Sequence, residues 1–416
     1  MALKLDFLTQ EILVKIATKI FGILRTLYLL YIFGISSYLD EFYYSNSIIG
    51  LIVLINILFE TTYSKKIKVF RNKLSFHKKF LKSLNILVLV LISIVLIFSF
   101  LFIKNGNILI HISILALWSI ININSYYFLL VYRYSLKNKP ILKYYFWISF
   151  INVFSIILII YADLIDSNYI FIIISGSILF SELITFTIIF GNYFIKVLKS
   201  KFVRNEKMRW SEIKVISKVL IILILVSLID VTDKTFLTIF DEGAITYYTY
   251  GFYAPLIIRQ ALDIKSNFFA QINILRSSKE INRIFFSTVK KLLFFFTLAS
   301  MLLVFIVEFF EPQILGLRLF TSKDFNIIRN ILFIGLVITP FYMIWDLFYR
   351  FYYRKNIIDL LLKVTLVGFI LNIVMNYIFS IIMNYEIYGV LYSTLLIFLF
   401  YNIISYFIFF VKTKPY

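Results

Sequence analysis

The residues of this chain with the most chemical potential are ionisable side chains set inside apolar runs. An ionised group at mid-bilayer costs about 2.5–3.5 kcal/mol on insertion scales, so each must face a partner or a cavity. In the first apolar run, Lys15, Lys19, Gly22 and Arg25 recur at helical spacing and form one basic stripe. Lys15 can snorkel to the interface. Arg25 lies nearer the centre, where its planar guanidinium could grip a phosphate bidentately or pair with Glu60 or Asp230. In a later run Asp230, Asp233 and Lys234 follow Ser227. Asp230 and Lys234 stand at i, i+4. They read either as a proton- or cation-responsive acid beside a binding cation, or as a self-neutralised patch. Arg259 and Asp263 share a stripe with Ser266 and Asn267, beyond a bend expected at Pro255. Arg259 is a second candidate phosphate ligand. Asn372 and Asn376, with Thr365 and Gly368, make a polar face that either lines a cavity or bonds between helices at about 0.6 kcal/mol per contact.

Weaker candidates are Glu60, Glu182 and Asp346, together with an expected Asp359–Lys363 pair. His111 reads as structural. The chain has no cysteine and only two histidines, so thiolate chemistry, disulfides and histidine metal clusters are excluded. No P-loop and no nucleophile beside a base is present, so no enzyme, cofactor or metal is expected. Uphill work must then come from an ion gradient or from consumption of product.

These groups need elements to hold them. Of 416 residues, 61% are hydrophobic and 15% charged, and the mean hydropathy is +0.92. Soluble domains average about 45–50% apolar and about 25% charged. A soluble enzyme, a disordered chain, a collagen and a secreted disulfide scaffold are thereby ruled out. A span needs about 20 apolar residues. Twelve such stretches can be read, at 11–34, 46–63, 83–103, 107–132, 143–163, 168–196, 213–238, 244–273, 288–309, 326–349, 356–383 and 387–411. The first reads as an uncleaved span rather than a signal peptide.

The net charge of +20 is distributed unevenly. The even-numbered breaks are basic, as in Lys65–Lys82, Arg133–Lys143, Lys196–Lys214, Arg276–Lys291 and Arg350–Lys355. Most odd-numbered breaks hold acids or little charge, such as Asp40 and Glu41, Asp163 and Asp166, and Asp241 and Glu242. This is the positive-inside pattern, and it puts both termini in the cytoplasm. The basic loops face one leaflet, where anionic lipid is a sufficient partner, so nucleic acid is not expected. The expected architecture is all-α and polytopic, with two pseudo-symmetric six-helix lobes: residues 1–198, a cytoplasmic linker 199–213, and residues 214–416.

A weak internal echo supports two lobes. Arg25 precedes Ile32-Phe33-Gly34 and then Asp40-Glu41, and Lys234 precedes Ile239-Phe240-Asp241-Glu242-Gly243. The stretches Lys19–Arg25, Ile32–Gly34 and Leu39–Tyr43 resemble the N-terminus of lipid II flippases, within the multidrug/oligosaccharidyl-lipid/polysaccharide (MOP) exporter superfamily. Asp233–Leu237 followed by Glu242–Ala244 resembles that group's seventh helix, and Tyr349–Tyr353 and Leu371–Asn376 resemble its tenth and eleventh. The resemblance implies a MATE/MOP-like fold and a cavity opening alternately to each side. It also implies a substrate of undecaprenyl-pyrophosphate-linked sugar held by cavity cations. Arg25 matches the group's helix-one arginine and Asp40 its acid at the start of helix two. Further cavity arginines of the lipid II branch fall here on Val53–Asn56 and Tyr250–Tyr253, and that branch carries two more C-terminal helices than the twelve read here. Both departures point toward the O-antigen and capsule repeat-unit flippases.

The expected site therefore comprises Lys19, Arg25, Lys234 and Arg259 as pyrophosphate-binding cations. Asp40, Asp230, Asp233 and Asp263 are its coupling or gating acids, and Asn372 and Asn376 its polar lining. The expected partners are the polyprenyl-pyrophosphate-linked glycan and anionic lipid, with a polysaccharide polymerase and a chain-length regulator nearby. Expected localisation is the bacterial cytoplasmic membrane. Alternative readings are a lipid II flippase, a drug or cation antiporter of the same fold, and an O-antigen polymerase.

Overall fold

The computed structural model describes residues 26, 28–62, 73–102, 106–135, 138–165, 169–200, 210–261, 278–309, 321–355 and 357–413. Lys19, Arg25 and Asp263 of the expected site fall outside these residues, as does the side chain of Glu60.

Residues 28–33 are helical and precede α1 (Ser37–Thr62), α2 (Leu74–Phe102), α3 (Gly106–Tyr134), α4 (Asn138–Ile165) and α5 (Ile170–Lys199). There follow α6 (Trp210–Leu237), α7 (Ala244–Ala261), α8 (Ser278–Phe309), α9 (Ser322–Lys355), α10 (Ile358–Asn376) and α11 (Glu386–Thr413). A π-helical segment, Tyr377–Ile382, continues α10. Helices dominate because a segment in hydrocarbon must satisfy its backbone bonds internally.

Seven segments among the described residues are long and apolar enough to cross a bilayer: Leu74–Ile97, Ile108–Arg133, Ile170–Lys199, Glu280–Glu308, Ser322–Tyr353, Ile358–Ile382 and Glu386–Phe409. The helices follow the expected order, but three begin well before their apolar runs. α1 starts at Ser37 rather than 46, α2 at Leu74 rather than 83 and α8 at Ser278 rather than 288. Hydropathy marks only the part that meets hydrocarbon. The backbone bonds continue into the charged turns that carry Lys78, Lys79 and Lys82, or Arg283.

Side-chain distribution suits a lipid solvent. Phe100, Phe294, Met301 and Leu302 lie exposed, while Asp233, Lys234, Glu182, Asn372 and Asn376 are buried. Ionisable groups in spans are expected to turn inward in this way.

The chain forms two compact units. One takes in Ser45–Ile216 with the chain before Phe33, and the other takes in Phe33–Tyr44 with Ser217–Tyr416. In the first, α5 packs on α3 and α4. Phe128 is its aromatic hub, with Phe186, Phe190, Tyr193 and Phe194 around it at ring separations of 5.6–6.1 Å. In the second, α9 packs on α7 and α11, and α10 on α11. Small residues permit those approaches. A Cβ on Gly251 would meet Ile331 at 2.4 Å, and one on Gly368 would meet the Tyr401 ring at 2.0 Å.

Candidate functional site

The second unit is organised around one buried carboxylate. Asp233, on the last turns of α6, has 0% exposure. Four donors from three other helices converge on it. Thr394 Oγ1 of α11 donates to Oδ2 at 2.5 Å, and Tyr248 OH of α7 donates to the same oxygen at 3.3 Å. On the other oxygen, Asn376 Nδ2 and Asn372 Nδ2 of α10 donate at 2.8 and 3.1 Å. The i, i+4 spacing of the asparagines puts both on one face. Ser393 Oγ bonds the Asn372 carbonyl oxygen at 3.2 Å, and Asn376 Oδ1 has no partner. The π segment begins immediately after Asn376. Such insertions reset a helix's phase and recur at functional sites.

Lys234, adjacent in sequence, is 7% exposed. Its Nζ lies 3.3 Å from Asp230 Oδ2, so the expected i, i+4 pair forms. Lys234 is the buried member of that pair and Asp230 the half-exposed one. The arrangement therefore joins Asp233, Asn372 and Asn376 in one cluster and holds Lys234 with Asp230 beside it.

Arg259 occupies a different setting. Its guanidinium carbon lies 3.7 Å from the centre of the Tyr342 ring on α9. This cation–π stack contributes roughly 0.5–2 kcal/mol. The face of the guanidinium is thus engaged by an aromatic ring, and Arg259 has no bond to the Asp233 cluster.

Asp40 does local structural work that the sequence did not disclose. It sits in the first turn of α1, and its carboxylate accepts from Gly243 N at 2.8 Å, Thr246 N at 2.7 Å and Thr246 Oγ1 at 2.6 Å. Those amides are the open N-terminus of α7, so a residue two hundred positions away supplies that helix's cap. Glu242 returns the arrangement, its Oε1 accepting from Ser37 N at 2.8 Å at the start of α1. The two helices cap one another. Gly243 makes this possible with φ +92°, where a Cβ would meet Ile35 at 2.0 Å. Burial raises the Asp40 carboxyl above the ordinary aspartate range despite these bonds, whereas bonding to Ser37 holds Glu242 below the glutamate range. Tyr43 OH and Tyr250 OH, 3.0 Å apart, extend the joint inward.

Other expectations resolve variously. Asp359, expected to pair with Lys363, pairs with Lys218 of α6 instead, because helix-to-helix proximity outweighs i, i+4 spacing there. His111 is structural, its Nδ1 3.0 Å from the Phe171 carbonyl oxygen. Thr394 and Tyr248 had no signal in the sequence. A threonine in an apolar run and a tyrosine among tyrosines are unremarkable until tertiary packing aims them at Asp233.

No protein-family model and no curated protein sequence matches the chain. Solved structures do match. One is the lipid II flippase MurJ in an inward closed conformation, with TM-score 0.65, 20% identity, and coverage of 97% of this chain and 88% of that one. Another is a MATE transporter in the straight conformation, with TM-score 0.66, 12% identity, and coverage of 98% and 95%. A third is a MOP superfamily transporter from Pyrococcus furiosus, with TM-score 0.63, 12% identity, and coverage of 98% and 95%. The chain has the fold of the MOP superfamily, shared with flippases and multidrug transporters.

Proposed function

We propose that this protein is a flippase for polyprenyl-pyrophosphate-linked oligosaccharide, of the O-antigen or capsule repeat-unit kind. It would carry the head group from the inner to the outer leaflet of the bacterial cytoplasmic membrane by alternating access. In this reading the lobes are residues 1–198 and 214–416, the linker is 199–213, and both termini are cytoplasmic. The observation that carries the reading is a basic first span, with Lys19 and Arg25, on a fold shared over nearly the whole chain with a lipid II flippase. A drug or cation antiporter binds cations and needs an acid-dominated pocket, whereas a stripe of lysine and arginine suits an anionic head group.

The physical task fits a transporter rather than an enzyme. Stripping water from each sugar hydroxyl costs kcal/mol in hydrocarbon, so the head needs a polar surround while its tail stays in lipid. Lys19, Arg25, Lys234 and Arg259 would be the cations that bind the pyrophosphate. Asp233, ringed by Thr394, Asn372, Asn376 and Tyr248, suits a coupling acid, which loses or gains a proton or a monovalent cation as the unit changes state. Asp230 would modulate Lys234, and Asp40 would gate.

The test is export of surface glycan in a strain lacking its own repeat-unit flippase. The wild-type gene should restore it, and Arg25→Ala and Lys234→Ala should each reduce it at least tenfold. Full export by Arg25→Ala would sink the site. Rescue of a strain lacking its lipid II flippase, without rescue of glycan export, would reassign the substrate to lipid II. Drug efflux alone would favour the antiporter reading. A change in glycan chain length with unaltered flipping would favour a polymerase.

A further inference from the structure

The first unit holds a second buried acid that the proposed transport cycle leaves unused. Glu182 lies in the middle of α5 and is 3% exposed. Tyr144 OH of α4 donates to Oε1 at 2.7 Å, and Asn122 Nδ2 of α3 donates to Oε2 at 3.4 Å. Asn122 in turn accepts at Oδ1 from Asn56 Nδ2 of α1 at 3.0 Å. The chain of bonds ends on Asn56 Oδ1, a buried acceptor without a donor, on a residue 7% exposed.

The charge balance of this group is incomplete. A carboxylate offers about four acceptor positions, and the side chains that face them here, Tyr144, Asn122, Ser125 and Trp118, are all neutral. Among the described residues no lysine, arginine or histidine pairs with Glu182, and Tyr144 is the titratable side chain that touches it. Its neighbours' other titratable groups are committed elsewhere. His111 of α3 bonds the Phe171 carbonyl, His77 of α2 bonds Tyr127, and Lys78 of α2 bonds the Ser200 carbonyl beyond the end of α5. A buried carboxylate held by neutral donors, with no cation to balance its charge, is suited to take up a proton.

We propose that Glu182 is a proton-binding site of the first unit, and that Asn122 and Asn56 turn their amides over as the proton arrives. In the ionised form the amide hydrogens point toward Glu182, as observed. When a proton from water binds Oε2, the new O–H needs an acceptor, and Asn122 supplies one by rotating Oδ1 toward it. Its Nδ2 then faces Asn56 and donates to the oxygen that now lacks a partner. No covalent bond forms or breaks apart from the O–H. The change at α5 is thereby transmitted through α3 to α1 along side chains already in contact. The site is a proton ligand in its own right and does not depend on which molecule the protein carries.

The experiment is infrared difference spectroscopy on the full chain in vesicles of phosphatidylethanolamine and phosphatidylglycerol, titrated from about pH 5 to about pH 9, which brackets ordinary and raised carboxyl values. The expected result is a protonated-carboxyl C=O band that titrates in the wild type and disappears in Glu182→Gln. It should persist in Asp233→Asn. Tyr144→Phe should move the midpoint up by about one to two pH units, since the ionised form loses its best hydrogen bond. Asn122→Leu should shift it too and abolish the accompanying asparagine amide signals. If Glu182→Gln does not fold into vesicles, the two other variants carry the test. Carboxyl bands identical in wild type and Glu182→Gln would overturn the proposal, as would a Glu182 band that stays constant over the whole range in both wild type and Tyr144→Phe. Because no transported substrate is used, the result is independent of the glycan-export assay.

Discussion

At the scale of single residues, the question is how a buried carboxylate survives. Asp233 is surrounded by donors, and its two oxygens take all of them. An asparagine there keeps the shape but exchanges one acceptor oxygen for an NH2 group, so the Thr394 and Tyr248 hydroxyls must turn to accept and lose the carboxylate they donate to. Asp233→Asn should lower unfolding stability in detergent by about 2–4 kcal/mol, and Thr394→Val by about 1–3 kcal/mol. Thermal denaturation of purified variants checks both. Equal stability of Asp233→Asn and wild type would mean the cluster does not hold the helices together. The sequence singled out Asp233, Asn372 and Asn376 by type and spacing. It could not place them on one carboxylate, because nothing in a helical repeat specifies which neighbouring helix a face meets.

At the scale of elements, two joints in the second unit set the predictions. One is the hairpin from the π segment into α11. A Cβ on Gly389 would lie 2.6 Å from the Ser380 backbone nitrogen and 2.7 Å from the Phe379 carbonyl carbon. Backbone cannot rotate away as a side chain can, so Gly389→Ala should cost about 1–3 kcal/mol of stability through overpacking, read from thermal unfolding. The other is the mutual capping of α1 and α7. Asp40, raised by burial, contributes stability that is full below its unfolded value and is lost as pH climbs through its folded one. Glu242, lowered by Ser37, contributes stability present above its unfolded value and lost as pH falls through its folded one. A spin label on Ser36→Cys should therefore be most immobilised between these limits. Glu242→Gln should remove the acid-side loss and Asp40→Asn the other. A label insensitive to pH in all three forms would show that capping does not secure the segment.

At the scale of the whole molecule, the testable feature is topology. The chain has no cysteine, so single cysteines report without background. Lys68→Cys should react with an impermeant maleimide only after the cytoplasmic face is opened, and Asp241→Cys should react in intact cells. Labelling of Lys68→Cys from outside would invert the topology and the proposed direction of transport.

Sequence alone determined the solvent, the helical order and the alternation of charge. These follow from local facts: apolar run length against bilayer thickness, and the electrostatic bias of the loops. It also marked which ionisable residues would have to be held by partners. Tertiary structure alone decided who those partners are. The stack of Arg259 on Tyr342, the capping of α7 by Asp40, and the convergence of Tyr248 and Thr394 on Asp233 each depend on contacts across many residues. Hydrogen bonds act over about 3 Å in space and carry no signature along the chain.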